Sequence, residues 1–435
     1  MSYVITYETP TIYYSRGMNK FCVSLLSLLI GGWLTIAQSV PPELQARWDK
    51  ESEPARHPLL EFRPSHLPDR VIVTPLESNS STLSFTWRTD TTVTEGRIEI
   101  IEGEIGNFPK DNREREEATY QVVHYKDYPM HYHTAQVTHL EPGKTYKYRV
   151  GNSPYWSEWF TFVQPHFEDT VQFLYFGDTQ NGIFDHSKRV YTDAFKKFDR
   201  SQLAIYVGDL INHANNDYEW SEWHTATKEI NAAMPVLATP GNHEYLKNLE
   251  GSKTELSAYW KPTFPYPYDT DTGAYFFDYG FVRFIVLNSN DEIYQQGFWL
   301  DRVLEKTVSD WVIIVTHHPV FSGAKDRENR GLQENWLPVI RKHRNKIALV
   351  LQGHDHTYAR GGVEDRKGTL THPEHPVFVI SVIGDKYYPL TEQKWMDTGH
   401  EEMSTYQYIE MTRDKVKYRS FSETNRLIDE FVIER

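Results

Sequence analysis

The chain has 435 residues, which exceeds one ordinary domain and predicts two. Hydrophobic residues make up 39% and charged residues 24%, as in globular proteins, and the many aromatic residues favour sheet-rich cores. A formal net charge of −14 argues against nucleic acid or an anionic membrane as a partner, although a metal cluster would still admit a small anionic substrate.

Residues 1–37 are predicted to be a leader. Met18-Asn19-Lys20 precedes about sixteen mostly apolar residues and then Ala37, which is typical of a secretory signal peptide over 18–37. The apolar run is short for a membrane span, and an uncleaved anchor or a buried N-terminal helix are the alternatives. We therefore expect a secreted or periplasmic protein with no stable membrane span after signal cleavage. The single cysteine, Cys22, excludes an intrachain disulfide.

Residues 38–64 are rich in Pro, Glu and Arg and are interpreted as an N-terminal extension. Residues 65–165 then show short alternating strands separated by turns, a pattern typical of an immunoglobulin- or fibronectin-like sandwich. The seven predicted strands are 70–74, 82–88, 96–101, 120–125, 134–140, 145–151 and 158–163. Residues 110–117 are expected to form an exposed loop. This domain shows no pattern of candidate catalytic or metal-binding residues, so packing and support are its predicted roles. Its histidines (His124, His131, His133 and His139) are expected at the surface.

From residue 166 to 435, apolar strands alternate with longer helical stretches, which indicates α/β organisation. Five successive apolar strands run into residues that commonly bind metals or phosphate. These residues are Asp178 and Gln180, Asp209 and Asn212, Asn242 to Glu244, His317 and His318, and finally His354 and His356. Because functional sites in α/β sheets lie beyond the carboxyl ends of the strands, we expect these side chains to converge.

The types of side chain indicate which metals would bind. Carboxylates, an amide oxygen and imidazoles suit Zn, Mn or Fe rather than Ca. A carboxylate shared by two ions would hold them about 3.5–4 Å apart, where the pair can bind a phosphoryl group and lower the pKa of bound water. A metal-bound hydroxide would then attack phosphorus, so no protein nucleophile is needed.

The order GDTQ, GDLIN, GNHE, THHPV and GHDHTYAR resembles the signature of the metallophosphoesterases, the calcineurin-like phosphoesterase superfamily. Upstream, PDRVIVTP and HLEPGKTYKYRVGN resemble the fibronectin-like N-terminal domain of purple acid phosphatases. The resemblance covers roughly residues 66–435. It implies an all-β sandwich followed by an α/β four-layer (αββα) sandwich with a dinuclear metal site.

The resemblance also implies a role for each motif residue. Asp209 would bridge both metals, with Asp178 and His356 on the first metal and Asn242, His317 and His354 on the second. His243 would face the substrate phosphate and protonate the leaving group. Three further residues are candidates for the substrate side: Glu244, His318 and Arg360. The alternatives are that Glu244 supports its neighbour His243, that His318 is a packing residue, and that Arg360 forms a salt bridge that holds the loop.

Two residues depart from the purple acid phosphatase pattern. Asn212 stands where that family has the tyrosine whose phenolate colours the iron, so tyrosinate–iron colour is not expected. Gln180 stands where purple acid phosphatases have glycine and many other metallophosphoesterases have a histidine ligand. The first metal is thus short of one protein ligand, which Gln180, Asn212 or water would supply.

The leading hypothesis is a phosphatase that hydrolyses small phosphate monoesters. A phosphodiesterase or nucleotide hydrolase with the same metal site is the first alternative. The second is a protein that binds metals without catalysis and serves in binding or adhesion. The metal pair and the oligomeric state stay open.

Overall fold

The computed structural model describes residues 42–44, 46, 60–77, 79–103, 114–125, 128–166, 169–362, 376–391 and 393–435. The predicted leader and signal peptide, and most of the N-terminal extension, lie outside the described residues. Among the described helices, none combines the length and apolar character needed to cross a membrane.

The N-terminal domain is a sandwich, as the alternating pattern predicts, and its described residues form nine strands rather than seven. One sheet has the order β1-β2-β6-β5; in the other, the order is β4-β3-β7-β8, and β9 pairs with β7. The strands are β1 (Asp69–Glu77), β2 (Asn79–Asp90), β3 (Arg97–Glu102), β4 (Glu114–Glu117), β5 (Thr119–Tyr125), β6 (Tyr128–Val137), β7 (Thr145–Asn152), β8 (Tyr155–Trp156) and β9 (Phe160–Val163).

The sandwich corrects two sequence-based expectations. The end of the predicted loop 110–117 forms β4, which pairs with β3 although all its side chains are exposed. His131 and His133 are buried rather than at the surface, because β6 lies in the middle of its sheet. There His133 stacks on Trp87 and bonds with the Thr89 hydroxyl.

Two larger sheets build the second domain. Their orders are β12-β11-β10-β22-β23-β24 and β15-β16-β17-β18-β20-β19-β21, and β13 and β14 form a separate hairpin. The strands are β10 (Val171–Phe176), β11 (Leu203–Tyr206), β12 (Val236–Ala238), β13 (Tyr245–Lys247), β14 (Lys253–Leu256), β15 (Tyr275–Tyr279), β16 (Val282–Val286), β17 (Trp311–Val315), β18 (Ile347–Gln352), β19 (Tyr358–Gly361), β20 (Val377–Ile380), β21 (Met396–His400), β22 (Thr405–Met411), β23 (Lys415–Ser422) and β24 (Leu427–Glu434).

Helices cover the outer faces of both sheets, which gives the predicted four layers. Apolar residues of α5 and α7 pack on the second sheet, and those of α1, α2 and α3 extend the core of the first. The helices are α1 (Lys188–Lys197, after a π-helical turn Ile183–Ser187), α2 (Asp217–Ala226), α3 (Lys228–Ala233), α4 (Trp260–Thr263), α5 (Ile293–Lys306), α6 (Arg330–Asn335) and α7 (Leu337–Lys342).

A buried ion-pair network joins the sandwich to the second domain. Asp217, at the start of α2, accepts hydrogen bonds from Arg70 at 2.7 Å and Arg88 at 3.1 Å, which belong to β1 and β2. Tyr128 of the sandwich donates to the same carboxylate at 2.8 Å. The start of α2 is therefore fixed against the sandwich.

Candidate metal centre

The predicted residues meet where the parallel strands of the two sheets end. In the first sheet β10, β11 and β12 run parallel, and in the second β17 and β18 do so. The chain turns sharply after each strand, and Asp209, His354 and His356 have φ values of 50°, 72° and 49°. Such left-handed backbone at residues other than glycine is strained and concentrates at functional sites.

Two glycines allow this close approach. A Cβ on Gly353 would lie 2.2 Å from Oδ1 of Asp178, and one on Gly241 would lie 2.2 Å from Oδ1 of Asp209. Side chains at these positions would displace the two carboxylates. The motif glycines are thus part of the site's geometry.

Each central carboxylate is anchored through one oxygen and presents the other to the site. Oδ1 of Asp178 accepts from the His354 backbone N–H at 2.6 Å, and Oδ1 of Asp209 accepts from that of His243 at 2.7 Å. Oδ2 of Asp178 lies 3.2 Å from Nε2 of His356, and Oδ2 of Asp209 lies 3.3 Å from Nε2 of His317. Both carboxylates are buried.

Backbone carbonyls orient two of the imidazoles. Nδ1 of His317 donates to the carbonyl of Val207 at 2.8 Å, and Nδ1 of His356 donates to that of Lys386 at 2.9 Å, so Nε2 of each ring faces the site. Nδ1 of His354 lies 3.2 Å from Nε2 of His317. The same His317 nitrogen is 3.2 Å from Oδ1 of Asn242.

These contacts define two neighbouring groups of candidate ligands. Asp178, Asp209 and His356 bring ligand atoms within 4.8 Å of one another, and so do His317, His318 and His354. Oδ2 of Asp209 lies between the groups, because it contacts His317 on one side and the Gln180 amide on the other. This position suits a bridging carboxylate.

Gln180 lies in the first group. Its Nε2 donates to Oδ2 of Asp209 at 3.1 Å and lies 2.8 Å from Nε2 of His356. A half-turn of the amide would bring Oε1 to the same place. Asn212 instead contributes its backbone carbonyl, which accepts from Nδ1 of His243 at 2.6 Å.

Unsatisfied buried atoms agree with bound metal ions. Oδ2 of Asp178 and Oε1 of Gln180 are buried and have no hydrogen-bond partner among the described residues. Burial raises the pKa of Asp178 and the charge of Asp209 adds to this, against the opposing charge of His317. Two adjacent buried carboxylates favour cations between them, and the donor set fits Fe, Zn or Mn.

His243 is half-buried at the mouth of the site. Its bond to the Asn212 carbonyl fixes the ring and leaves Nε2 free. Burial lowers the pKa of His243 to about 4. The loop that carries Asn212 is held by Glu219 of α2, whose carboxylate accepts from the backbone N–H groups of Asn212 at 2.9 Å and His213 at 2.7 Å.

The structure separates the three substrate-side candidates. Arg360 is fully buried and paired with Asp429 and Asp397, which are contacts of the kind that the salt-bridge alternative expects. Glu244 is also fully buried, and it accepts backbone N–H groups of Asp209, Leu210 and Gly241 behind the site rather than facing a substrate. His318 is half-buried, 4.2 Å from the His354 ring between ring centroids, with Nδ1 bonded to Ser289.

Sequence reasoning missed four residues around the site. Arg327 places Nη2 2.5 Å from Nε2 of His354, and the Tyr388 ring lies 4.9 Å from that of His356. Lys253 and Lys386 also lie nearby, since their charges lower the pKa of His243. These residues come from segments without a motif, and only the folded chain brings them to the candidate ligands.

Comparisons with known proteins agree with this geometry. The family model "Calcineurin-like phosphoesterase" matches residues 171–358, and the model "Purple acid Phosphatase, N-terminal domain" matches residues 68–164. Residues 171–358 are thus a calcineurin-like phosphoesterase domain, and residues 68–164 are a purple acid phosphatase N-terminal domain. The predicted family and fold class are confirmed.

Relatives of this phosphoesterase include purple acid phosphatase 21 of Arabidopsis thaliana, 25% identical over 59% of this chain and 60% of the relative. Another is the probable inactive purple acid phosphatase 24 of the same plant, 24% identical over 53% of this chain and 44% of the relative. The chain thus spans about half of these relatives. A yellow lupin purple acid phosphatase has the same fold, with a TM-score of 0.71, 16% identity and coverage of 85% of this chain and 74% of that one.

Proposed function

We propose that this phosphoesterase hydrolyses small phosphate monoesters with two metal ions. The observation that carries the proposal is the position of Asp209, whose Oδ2 lies between two groups of candidate ligands. Asp178, Asp209 and His356 would hold the first ion, with Gln180 as its further ligand. Asp209, Asn242, His317 and His354 would hold the second.

When bound, the two ions supply a water of lowered pKa and neutralise charge on the phosphoryl group. The chain supplies the remaining functions. His243 has its Nδ1 committed to Asn212, so its Nε2 is the atom that contacts the substrate phosphate and passes a proton to the leaving oxygen. His318, half-buried beside His354, is assigned to the substrate side.

The family resemblance favours monoesters, and the metal site alone would also serve diesters. The test compares hydrolysis of phenyl phosphate and diphenyl phosphate by the metal-loaded protein between pH 5 and 9, with Asp209→Asn as the control. We expect faster hydrolysis of the monoester and loss of both activities in Asp209→Asn. A preference for the diester would establish the phosphodiesterase alternative. Bound metals without turnover of either ester would establish the non-catalytic one, which the probable inactive relative makes worth testing.

The ligand set fits Fe, Zn or Mn, and no tyrosine phenolate is expected on the metal because position 212 is Asn. The protein should therefore be colourless, without the charge-transfer absorption of a tyrosinate–iron site. A visible band of that type in the purified protein would contradict this assignment.

The apolar segment of residues 21–36 supports export of the chain to a secreted or periplasmic location. Mass spectrometry of protein recovered from its native host would then show an N-terminus close to residue 38. An intact leader on the exported protein would favour an uncleaved anchor.

A further inference from the structure

Two lysines at the mouth of the site have unneutralised charges. The ammonium groups of Lys253 and Lys386 make no ion pair or hydrogen bond with the described residues, although the protein as a whole carries a net charge of −14. Both side chains are half-buried. Unpaired ammonium groups that are partly withdrawn from water are costly unless a ligand anion pairs with them.

Both lysines lie on segments that adjoin the candidate metal ligands. Lys253 lies on β14, and the β13–β14 hairpin follows directly after Asn242–Glu244 and bonds back to it, with the Ser257 N–H donating to the Glu244 carbonyl at 2.8 Å. Lys386 lies on the turn whose carbonyl accepts from Nδ1 of His356 at 2.9 Å. The two lysines therefore approach the site from two different segments, a hairpin strand and a turn.

The electrostatics agree with this placement. Burial is the largest cause of the low pKa of His243, and the charges of Lys253 and Lys386 both lower it further. The charge of Asp209 in turn raises the pKa of Lys253, against a larger effect of burial. Both ammonium groups are thus within Coulombic reach of the centre.

An aromatic ring completes the rim. The Tyr388 ring lies 5.2 Å from the Lys386 ammonium and 4.7 Å from the Arg327 guanidinium, and 4.9 Å from the His356 ring. Arg327 is anchored by Asp355 at 3.2 Å, so its position is fixed, whereas the lysine ammonium groups are free to meet a ligand.

We propose that Lys253 and Lys386 form a second anion subsite, which selects phosphate esters whose leaving group carries its own carboxylate or phosphate. The inference rests on the proposed function, since the subsite lies beside the centre that would bind the transferred phosphoryl group. Charge-assisted hydrogen bonds to such an anion would add to the affinity without contacting the bond that breaks.

The test uses three esters with related aryl leaving groups: phenyl phosphate, 4-carboxyphenyl phosphate and benzene-1,4-diyl bisphosphate. Lys253→Met and Lys386→Met are compared with the wild type and with Lys306→Met, an exposed lysine of α5. The readout is kcat/KM for each anionic ester divided by kcat/KM for phenyl phosphate. We expect this ratio to fall about tenfold in each rim variant and to stay constant in Lys306→Met.

Two controls keep the result clear. Lys253→Arg keeps the charge and should restore most of the ratio, which loss of folding would not allow. Calorimetry with phenylphosphonate and 4-carboxyphenylphosphonate measures the same preference as a ratio of Kd values without any turnover, so the subsite is testable even if no ester is hydrolysed.

The outcomes separate the subsite from the proposed function. If the rim variants lower the kcat/KM ratio for both anionic esters, the subsite accepts anions in general. If they lower it for the bisphosphate alone, the subsite is specific for phosphate. An unchanged ratio in both rim variants overturns the inference. Equal losses on all three esters also overturn it, because the lysines would then act on the transferred phosphoryl group. Absence of hydrolysis, with the phosphonate preference intact, would contradict the proposed function only.

Discussion

His243 shows how one hydrogen bond determines what a side chain can do. With Nδ1 held by the Asn212 carbonyl at 2.6 Å, only Nε2 can face a substrate, and the His243 backbone N–H is used to anchor Asp209. The side chain is therefore available for chemistry while its main chain supports the metal ligand. A substitution at this residue should separate the two functions.

His243→Ala should lower kcat by at least about a hundredfold, the usual effect of removing a general acid. Metal content should stay at the wild-type value, because the backbone bond to Asp209 remains. The measurement is kcat on phenyl phosphate together with elemental analysis of bound metal. The control is His343→Ala, which replaces a histidine that directly follows α7 and pairs with Asp301 of α5. Loss of metal in His243→Ala would show that this histidine is a ligand.

At this scale the sequence predicted most of the centre. The motif residues are few, each follows a buried strand, and the fold brings Asp178, Asp209, Asn242, His317, His354 and His356 together. The positions of the substrate-side candidates were not predictable in this way, because the burial of a side chain depends on tertiary contacts. Arg360 meets Asp429, which is 69 residues away in the chain, and no local pattern indicates that pairing.

At the scale of elements, α2 connects the sandwich with the centre. Its first turn carries Asp217, which pairs with the sandwich, and Glu219, which holds the loop of Asn212 and His213. That loop supplies the carbonyl that orients His243. The sequence pattern indicates helical stretches between the strands of this domain, but it does not indicate these polar contacts.

Glu219→Gln tests the role of α2 in positioning His243. Oε2 of Glu219 accepts both backbone N–H groups of the loop and Oε1 faces Nδ1 of His213, so the amide N–H₂ of the variant must meet a donor at one of these two places. The loop should therefore move, and kcat should fall about tenfold at unchanged KM. Metal content should stay constant, and Glu229→Gln, an exposed carboxylate on α3, should behave as the wild type. Glu219→Asp should recover part of the rate. A change in KM alone would contradict the positioning role.

On the scale of the whole molecule, the buried network around Asp217 holds the two domains together. Burial would raise the pKa of Asp217, but the charges of Arg70 and Arg88 lower it below the ordinary aspartate value. A carboxyl with a lowered pKa in the folded state stabilises the protein above its unfolded pKa of about 4, and this contribution is lost as the pH falls through the lower folded value.

Asp217→Asn should therefore destabilise the protein by about 3 kcal/mol at pH 7, since two arginines lose their buried partner. The difference from the wild type should shrink as the pH falls below about 4, because the unfolded chain then binds a proton that the folded carboxyl, with its lower pKa, binds less readily. Thermal unfolding across this pH range measures the effect. Asp310→Asn, which removes a half-buried surface carboxylate paired with Arg413 and Arg435, is the control with a small expected change. A difference that stays constant with pH would contradict the assignment.

The four-layer arrangement was predictable through the family resemblance, whereas the junction between the domains was not. Arg70 and Arg88 appear in the sequence as ordinary charged residues within strands. Their burial follows from the packing of the sandwich against α2, which is a tertiary property. The same holds for Lys253, Lys386 and Tyr388 at the mouth of the site, which come from segments without a motif.

In the proposed function, the centre hydrolyses phosphate monoesters with two metal ions that have Asp209 as a common ligand. Its most direct test is a titration of metal-free protein with Zn²⁺, Mn²⁺ or Fe²⁺ while hydrolysis of phenyl phosphate is recorded. The account predicts that the rate rises with added metal and reaches its plateau at two equivalents per chain. A plateau at one equivalent, or no hydrolysis with two metals bound, would contradict it.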